Sequence, residues 1–386
     1  MQAIEQSFHV TFRFKVHFTE HLFAADNTTF INGLNLAQIG VVKKLLIFID
    51  ANLVTANSEL CALINSYFNK HADKINLVTI PIIIQGGEQV KNNPQNVEEI
   101  LKAINDYGID RHSYTVAIGG GALLDMVGYA SAIAHRGIRH VRIPTTVLSQ
   151  NDSGVGVKNS INYFHKKNFL GTFVPPYAVF NDFALLETLS LRDWRAGIAE
   201  AIKVALIKDA AFFQYIIANA SNLVNRDKQS MQYLIYRCAE MHLAHIASGD
   251  PFEMGSSRPL DFGHWAAHKM EYLSGYEIRH GEAVAAGIGL DATYSYLKQM
   301  ISNEEWIQIL DLLKVIGFKL YYPEMRVKEN NSNNYPDIFS GLIEFREHLG
   351  GQLTIMLLSA IGKGCEVHEM DFDLISQSID LLEKNQ

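Results

Sequence analysis

Short apolar runs rich in β-branched residues alternate with amphipathic stretches along the first half of the chain. Runs of this kind, bounded by Gly, Asp or Pro, are typical of strands. The predicted strands are residues 8–16, which alternate polar and apolar, and the runs at 45–50, 76–84, 113–120, 140–144 and 177–182. Residues 96–108 carry apolar side chains near a 3.6-residue period and predict a helix. Such alternation favours a mainly parallel sheet with helices on its faces.

After about residue 185 the pattern changes, because strand-like runs become rare and long amphipathic stretches dominate. The predicted helices are residues 193–206, 228–248, 263–273, 281–298 and 303–315. We therefore predict an α/β nucleotide-binding domain at 1–185 and a mainly α-helical metal- and substrate-binding domain at 186–386. The polar segment 328–337 predicts a surface loop. An active site is expected in the cleft between the domains, at the carboxyl ends of the strands.

Composition narrows the possible partners. The 386 residues are 48% hydrophobic and 19% charged, as in an ordinary globular enzyme. A net charge of −8 argues against nucleic acid as the main partner, since such binding needs a clustered basic face. No apolar run reaches the roughly 18 residues that span a bilayer, and the N-terminus lacks a signal-peptide core. Three distant cysteines do not form a disulfide framework, so we expect a cytoplasmic protein without membrane partners.

Two glycine-rich turns follow predicted strands, in AIGGGALLDMVGYASA (117–132) and QGGEQVK (85–91). Glycines let a backbone approach a pyrophosphate closely, and a helix N-terminus offers free N–H groups and a partial positive charge. The spacing is not the GxGxxG of the common dinucleotide fingerprint, so a tight strand–helix turn is an equal alternative for either turn alone. Two such turns at successive strand ends favour a dinucleotide.

Three histidines lie close together in LDFGHWAAHKMEYLSGYEIRHGEAVA (260–285). His264 and His268 are four residues apart and share a helix face, and His280 begins the next helix. Upstream, Glu200 and Lys203 lie one turn apart on an otherwise apolar helix. A carboxylate and two imidazoles suit a catalytic zinc with an open position. Any single histidine here has a packed core residue as its alternative, and the sequence alone does not bring Glu200 to the histidines.

The segment RIPTTVLSQNDSGVGVKNSINYFHKKN (142–168) mixes polar side chains, lysines and glycines. Lys158, Lys167 and Asn168, with Arg136 shortly upstream, are candidates for binding phosphate. A solvated loop is the alternative. The apolar positions Val155, Val157 and Ile161 indicate that the segment is packed against a core, so its polar groups are expected to have defined partners.

In this order, the motifs GGGALLDMVGYAS, IPTTVLSQNDSGVGVKNSIN, RAGIAEAIK and DFGHWAAHK…RHGEAVAAG resemble the 3-dehydroquinate synthase family of sugar-phosphate cyclases. The resemblance runs from about residue 40 to 365. It implies a Rossmann-like domain followed by a helical metal domain, NAD and zinc (or cobalt) as cofactors, and a homodimer.

The resemblance also implies roles for individual positions. The zinc ligands would be Glu200, His264 and His280. The NAD-binding positions would be Asp50, Asn52, Glu88, Lys91, Gly119, Gly120, Gly121, Asp125, Thr145, Thr146 and Thr188. The catalytic positions would be Asp152, Lys158, Lys203 and His268, and the substrate-binding positions Arg136, Asn168 and Asp261. Of these, Arg136 matches an arginine that in the family reaches the phosphate across the dimer interface.

Family chemistry, as the resemblance implies it, is a phosphate-eliminating lyase reaction. NAD transiently oxidises a ring hydroxyl, zinc stabilises the alkoxide, and phosphate leaves by elimination. The hydride then returns, and an intramolecular aldol step closes a carbocycle. Lys158, Lys203 and His268 are the expected residues for placing the substrate and moving protons.

The chain departs from ordinary 3-dehydroquinate synthases in the substrate pocket. In those enzymes a lysine and an arginine bind the substrate carboxylate. Counting back from His264 without gaps, the corresponding positions in this chain are Leu243 and Ser257. Arg258 lies one residue after the second of them. The family asparagine before the first metal histidine is Asp261. A family lysine pair near the C-terminus is replaced by EFREHLGGQLTIML (344–357).

The motifs RPLDFGH, GVK and FREHLGG instead resemble the 2-epi-5-epi-valiolone synthase branch, which cyclises sedoheptulose 7-phosphate. That substrate lacks the carboxylate, and an unpaired buried cation is costly, so losing the cations suits it. We therefore predict a cyclase of a sedoheptulose 7-phosphate-like substrate. A 3-dehydroquinate synthase proper is the second hypothesis and a 2-deoxy-scyllo-inosose-type synthase the third.

Two hypotheses come from other classes of protein. A metal-dependent polyol dehydrogenase related to glycerol dehydrogenase shares a glycine turn and a histidine metal site, but it would release NADH and would not need a phosphate pocket. Arg136, Lys158 and Asn168 argue against it. A catalytically inactive binding protein on the same fold is disfavoured by the full set of Glu200, His264 and His280.

Overall fold

The computed structural model describes residues 3–34, 36, 42–164, 166–252, 260–328, 336–348 and 351–385. Ser257, Arg258 and most of the predicted loop at 328–337 lie outside these ranges. Within the described residues, no helix combines the length and apolarity needed to cross a bilayer.

Backbone contacts divide the chain into two compact units. The first comprises Met1–Pro144 and Val157–Ala184, and the second comprises Thr145–Gly156 and Leu185–Gln386. Residues 145–156 precede the predicted boundary near residue 185, yet they group with the second unit.

The strands are β1 (Val16–Thr19), β2 (Lys43–Asp50), β3 (Ile75–Leu77), β4 (Ile82–Ile84), β5 (Tyr114–Gly119), β6 (Arg139–Pro144), β7 (Lys158–Tyr163), β8 (Lys166–Phe173), β9 (Ala178–Asp182), β10 (Ile355–Ala360) and β11 (Lys363–Val367). The helices are α1 (Thr29–Gly33), α2 (Ala51–Ala56), α3 (Leu60–Lys70), α4 (Pro94–Asp106), α5 (Gly121–Ile133), α6 (Leu191–Lys208), α7 (Ala210–Ala218), α8 (Ala220–Val224), α9 (Lys228–Ile246), α10 (His264–Leu273), α11 (His280–Leu297), α12 (Asn303–Ile316), α13 (Ser340–His348) and α14 (Phe372–Lys384).

The first unit is built on a parallel sheet in the order β1-β9-β6-β5-β2-β3, with β4 also paired to β2. Every ladder recorded in this sheet is parallel. The central strands β2 and β5 are continuous apolar runs, as expected of strands covered on both faces. The predicted mainly parallel α/β sheet is therefore confirmed.

Two predicted strands differ from the structure. The run at 76–84 is two short strands, β3 and β4, separated around Pro81, which has no N–H to donate to a ladder. The alternating segment 8–16 forms a strand only from Val16, and residues 8–15 lie outside the sheet. β1 pairs with β9 from Val16, which lies opposite Val179, and Val179 N donates a hydrogen bond to Lys15 O at 3.0 Å. β9 begins at Ala178, so residues 8–14 have no opposite residue in β9.

The segment at 142–168 is partly strand and well packed. β7 and β8 form an antiparallel hairpin, and Val155, Val157 and Ile161 are buried, as predicted. In the first unit α5 packs against β7 at Gly128. A Cβ there would lie 1.9 Å from Asn159 Oδ1, so any larger residue would require the Asn159 side chain to move.

The second unit contains the predicted long helices. α6, α9, α10, α11 and α12 confirm the stretches that the amphipathic pattern indicated. α6 and α11 are buried along most of their length, and this makes them the core of the unit.

Candidate active site

The carboxyl ends of β2, β4 and β5 form a glycine-lined cradle around Asp50. A Cβ at Gly86 would lie 2.1 Å from Asp50 Oδ2, and one at Gly119 would lie 3.2 Å from Asp50 Cβ. Beyond the turn, α5 begins at Gly121, and its N-cap Gly120 offers no side chain to cap the helix. Glycine backbone, a strand-end carboxylate and a helix N-terminus without a side-chain cap fit a dinucleotide.

Asp50 also caps α2, since its Oδ1 accepts a hydrogen bond from Asn52 N at 2.8 Å. Burial raises the pKa of Asp50 above its ordinary value, and the hydrogen bonds from Asn52 and Leu53 oppose that rise. The predicted pair Asp50 and Asn52 therefore lies together at the end of β2.

A second group of candidates meets around the buried Lys91. Its Nζ lies 2.8 Å from Asp125 Oδ2 and 2.5 Å from Asn168 Oδ1, with Ser160 Oγ at 3.2 Å and Glu88 Oε1 at 3.7 Å. Asn168 adopts a left-handed backbone, with φ of 55°, at the position where the β7–β8 hairpin brings it to Lys91. The structure thus joins Asn168, which the sequence assigned to substrate, to three residues assigned to NAD.

The predicted metal ligands Glu200, His264 and His280 come together in the second unit. Their donor atoms all lie within 4.8 Å of one another. Glu200 Oε1 is 3.2 Å from His280 Nε2 and 3.6 Å from His264 Nε2. Two imidazole nitrogens and one carboxylate leave a fourth position open, which is the donor set of a catalytic zinc site.

The burial and the ionisation of Glu200 suit a cation bound between its carboxylate and the two histidines. Its side chain is fully buried; Oε1 accepts no hydrogen bond of normal geometry from the described residues, and Oε2 forms an ion pair with Lys203. Burial by itself would raise the pKa of Glu200, but the charges of Lys203 and His264 outweigh it and hold the pKa well below its ordinary value. A buried, ionised carboxylate facing two imidazoles is ready to bind a divalent metal.

Small residues let the three helices approach closely enough to form the set. A Cβ at Gly281, next to His280, would lie 2.1 Å from the backbone oxygen of Ala196 on α6. A Cβ at Gly287 would lie 2.1 Å from the backbone oxygen of Gly263, which precedes His264. Backbone-to-backbone packing at these glycines therefore sets the spacing of the metal donors.

Gly281→Ala is expected to destabilise the protein by about 1–3 kcal/mol, because the added methyl group meets rigid backbone. It should also weaken metal binding, since α11 must shift and carry His280 with it. Chemical unfolding of the metal-free protein and zinc titration measure the two effects.

Gly289→Ala on the same helix is the matched control. Its Cβ would meet the side chains of Leu320, Leu382 and Leu310 at 3.7–3.8 Å, which is ordinary contact. That variant should gain about 0.4–1 kcal/mol from the lower entropy of its unfolded chain. Equal stability of the two variants would contradict the backbone-contact explanation.

Beside the metal set lies a charged network that joins α6, α9 and the turn at Ser149–Ser153. Lys203 Nζ is 2.5 Å from Glu200 Oε2, and both side chains are almost fully buried. His242 Nδ1 is 2.9 Å from Asp152 Oδ1. Burial would lower the pKa of Lys203, yet Glu200 and Asp152 hold it above its ordinary value.

The remaining candidates are distributed over both units. In the second unit, the His268 ring centroid lies 5.4 Å from that of His264. Burial lowers the pKa of Lys203, whereas Glu200, Asp152 and, to a smaller extent, Asp261 raise it. Thr145, Thr146 and Thr188 also belong to the second unit. In the first unit, Lys158 and Arg136 are exposed, and Arg136 lies on a left-handed turn after α5.

Sequence reasoning missed two residues that contact predicted ones. His242 faces Asp152, one position before the Leu243 that ungapped counting selects. Glu271 Oε2 lies 3.0 Å from His280 Nδ1. Glu271 is seven residues after His264 on the same helix face, and that spacing was an available signal.

Comparison with known proteins identifies the family. A family model for the N-terminal part of 3-dehydroquinate synthase matches residues 81–196, and the model for its C-terminal part matches residues 197–335. The 3-dehydroquinate synthase of Acinetobacter baumannii (strain SDF) is 33% identical over 329 residues, covering 85% of this chain and 88% of that protein.

Two solved structures show the same fold. The 2-epi-5-epi-valiolone synthase of Streptomyces hygroscopicus subsp. jinggangensis, solved with NAD+ and Zn2+ bound, has a TM-score of 0.86 at 25% identity and covers all of both chains. A 2-deoxy-scyllo-inosose synthase, complexed with carbaglucose-6-phosphate, NAD+ and Co2+, has a TM-score of 0.74 at 21% identity and covers 94% of this chain and 95% of that chain. With both family models matched along most of its length, this chain belongs to the 3-dehydroquinate synthase family.

Proposed function

We propose that the protein is an NAD- and zinc-dependent cyclase that converts a sedoheptulose 7-phosphate-like ketose phosphate to a carbocycle with loss of phosphate. The observation that carries this proposal is the Glu200, His264 and His280 set in direct contact with Lys203, whose charge also acts on Asp152. A metal position beside a buried cation and a carboxylate suits chemistry in which both oxyanions and protons must be handled.

Glu200, His264 and His280 would hold the metal, and the cradle at Asp50, Gly86 and Gly119–Gly121 would hold the nucleotide. When bound, the metal supplies Lewis-acid polarisation of a hydroxyl oxygen and NAD supplies a reversible hydride acceptor. The contacts of Lys91 with Asp125 and Glu88 would hold in place the segment that follows Gly86 and Gly87. Cobalt is an alternative to zinc, since the same ligands accept both.

The chain's own residues would bind the sugar phosphate and move its protons. Lys203 is held in its charged form by Glu200 and Asp152, so it would stabilise negative charge on a substrate oxygen. Asp152 is held ionised and would accept a proton or orient a hydroxyl, and His268 lies beside the metal ligands as a second proton carrier. The phosphate would be bound by Lys158, Asn168 and Arg136. Asp261 would accept a hydrogen bond from a hydroxyl group of the substrate.

The choice of a substrate without a carboxylate rests on α9. The side chain that meets Asp152 there is His242, and the counted position is Leu243, so neither supplies the lysine that would bind a carboxylate. The identity of the sugar is supported further by likeness to the valiolone synthase structure over the full chain.

A 3-dehydroquinate synthase proper is the second candidate function. It is favoured by the 33% identity to the Acinetobacter baumannii enzyme over 85% of this chain. The 2-deoxy-scyllo-inosose-type reaction is a third. A polyol dehydrogenase would use the same metal set but would accumulate NADH.

Phosphate release tests these alternatives in one assay. Purified protein with NAD and zinc is offered sedoheptulose 7-phosphate and, separately, 3-deoxy-D-arabino-heptulosonate 7-phosphate. We expect phosphate release from the first substrate alone. NADH should not accumulate, as followed by its absorbance, because the hydride returns within each turnover. Release from the second alone would make the protein a 3-dehydroquinate synthase proper, and stoichiometric NADH from simple polyols would make it a dehydrogenase.

A homodimer is part of this proposal. Arg136 is exposed on its turn after α5, as an arginine that reaches the phosphate of a second copy would be. Light scattering of the purified protein at assay concentration distinguishes a dimer from a monomer, and a monomer that turns over fully would remove Arg136 from the site.

A further inference from the structure

Glu271 is a buried carboxylate that neither the proposed metal set nor the charged network uses. It lies near the end of α10, 3% exposed. His264, His268 and Glu271 follow one another at spacings of four and three residues, so they share one face of the helix. That face turns toward the first residue of α11, which is His280.

The contact with His280 defines what Glu271 does. Glu271 Oε2 lies 3.0 Å from His280 Nδ1, while His280 Nε2 lies 3.2 Å from Glu200 Oε1. A carboxylate oxygen accepts a hydrogen bond, so Nδ1 carries the proton and donates it. Nε2, on the side of Glu200 and His264, is then the nitrogen left to bind a metal.

His264 is held in a corresponding way by the backbone. Its Nδ1 lies 3.2 Å from the carbonyl oxygen of Phe262, and its Nε2 faces Glu200. Both imidazoles thus present Nε2 to the same carboxylate, and each has an acceptor at Nδ1. Such outer partners fix the tautomer and orientation of a ligating histidine and raise its basicity.

A competing arrangement must be distinguished, because His268, Glu271 and His280 also have donor atoms within 4.8 Å of one another. A second metal ion at that place would take His280 through Nδ1. A ring nitrogen that donates a hydrogen bond to Glu271 does not bind a metal at the same time, so the two arrangements are alternatives that metal stoichiometry distinguishes.

We infer that Glu271 is a positioning residue for the metal site, acting through His280. This inference rests on the proposed metal function of Glu200, His264 and His280. One divalent ion is bound per chain, and the carboxylate of Glu271 makes His280 a stronger ligand than it would be beside a neutral group.

The test is a metal titration of Glu271→Gln and Glu271→Ala. Zinc affinity is measured by competition with a chelator, and Co2+ binding by the visible absorption of the ion, so turnover is not needed. Glu271→Gln keeps an acceptor without the charge, and it should lower zinc affinity about 10–100-fold, the usual effect of changing such a partner. Glu271→Ala should lower it further and shift the Co2+ absorption band.

Glu344→Gln provides a matched control. Glu344 lies on α13, and its side chain is 59% exposed. It pairs at 2.7 Å with Lys269, which lies on α10 with Glu271. Its zinc affinity should equal that of the unchanged protein. Unfolding of the metal-free variants shows whether an altered affinity comes from a misfolded helix.

Each result has a distinct meaning. Unchanged zinc affinity in Glu271→Gln, with metal still lost in His280→Ala, would overturn the positioning role and leave the metal site standing. Two Co2+ ions per chain, reduced to one in Glu271→Gln, would overturn it in favour of the second site. An unchanged protein that binds no divalent metal would instead sink the proposed function.

Discussion

Glu200→Gln is expected to remove the bound metal and to lower turnover about a thousandfold or more. The carboxylate is the charged member of a three-residue donor set, and a catalytic metal contributes several kcal/mol to transition-state stabilisation, where about 4 kcal/mol corresponds to a thousandfold in rate. The variant should retain the shape of the side chain, so the loss reports charge and ligation. Metal content after dialysis and phosphate release are the two measurements.

The same substitution should also destabilise the metal-free protein. Glu200 and Lys203 form a buried ion pair at 2.5 Å, and removing one partner of such a pair typically costs about 3–5 kcal/mol. Asp152 still acts on Lys203, so the lower end of that range is expected.

A double variant, Glu200→Gln with Lys203→Met, separates ligation from stability. Removing both charges should recover most of the free energy of unfolding, because a buried pair replaced by neutral groups is often close to neutral. Metal binding should stay lost. A single variant that keeps one tightly bound zinc per chain would show that Glu200 is not a ligand, and a double variant as unstable as the single one would refute the ion-pair explanation.

The strands and helices were largely predictable because their signal is local. β2 and β5 carry the apolar runs 45–49 and 116–118, and α4 and α12 follow the helical period. The two errors both concern partners that a period does not reveal. Pro81 interrupts the run at 76–84, and residues 8–14 alternate like a strand but lie before the point where β9 begins.

The candidate metal site was predictable only in part. The spacing of His264 and His268 on one helix face follows from geometry, but the arrival of Glu200 depends on two helices meeting at Gly281 and Ala196. Such a contact is tertiary, and a glycine within a helix has no distinctive pattern. Family resemblance supplied what the local pattern could not.

The missed residues have different physical origins. Glu271 lies two residues after Lys269 on α10, and it was overlooked because charged residues on a helix are usually solvent-facing. His242 was missed because ungapped counting from His264 fixes a position only if the intervening chain has the family's length. The contact between His242 and Asp152 joins residues ninety positions apart, and the structure reveals it where the spacing of residues along the chain does not.

Asp152→Asn is expected to lower kcat/KM by about a hundredfold to ten-thousandfold, the range for loss of a positioned acid–base group. Burial alone would raise the pKa of Asp152, but the charges of His242 and Lys203 hold it below its ordinary value. The carboxylate is therefore ionised throughout the neutral range, and its substitution by a neutral amide removes both the charge and the proton acceptor. Steady-state kinetics with sedoheptulose 7-phosphate measures the loss.

His242→Leu tests the reason for that ionisation. His242 lies 2.9 Å from Asp152 Oδ1 and lowers the pKa of that carboxyl, so without His242 the pKa of Asp152 rises, and the pH below which the carboxylate becomes protonated rises too. The acidic limb of the kcat/KM profile should move to higher pH, while the neutral plateau changes less than in Asp152→Asn. His245→Leu, the same change on the same helix, should leave the limb in place. If the acidic limb of His242→Leu also stays in place, one of two explanations holds. Either Asp152 is not the group that titrates on that limb, or His242 does not control its pKa. The plateau loss in Asp152→Asn decides between the two.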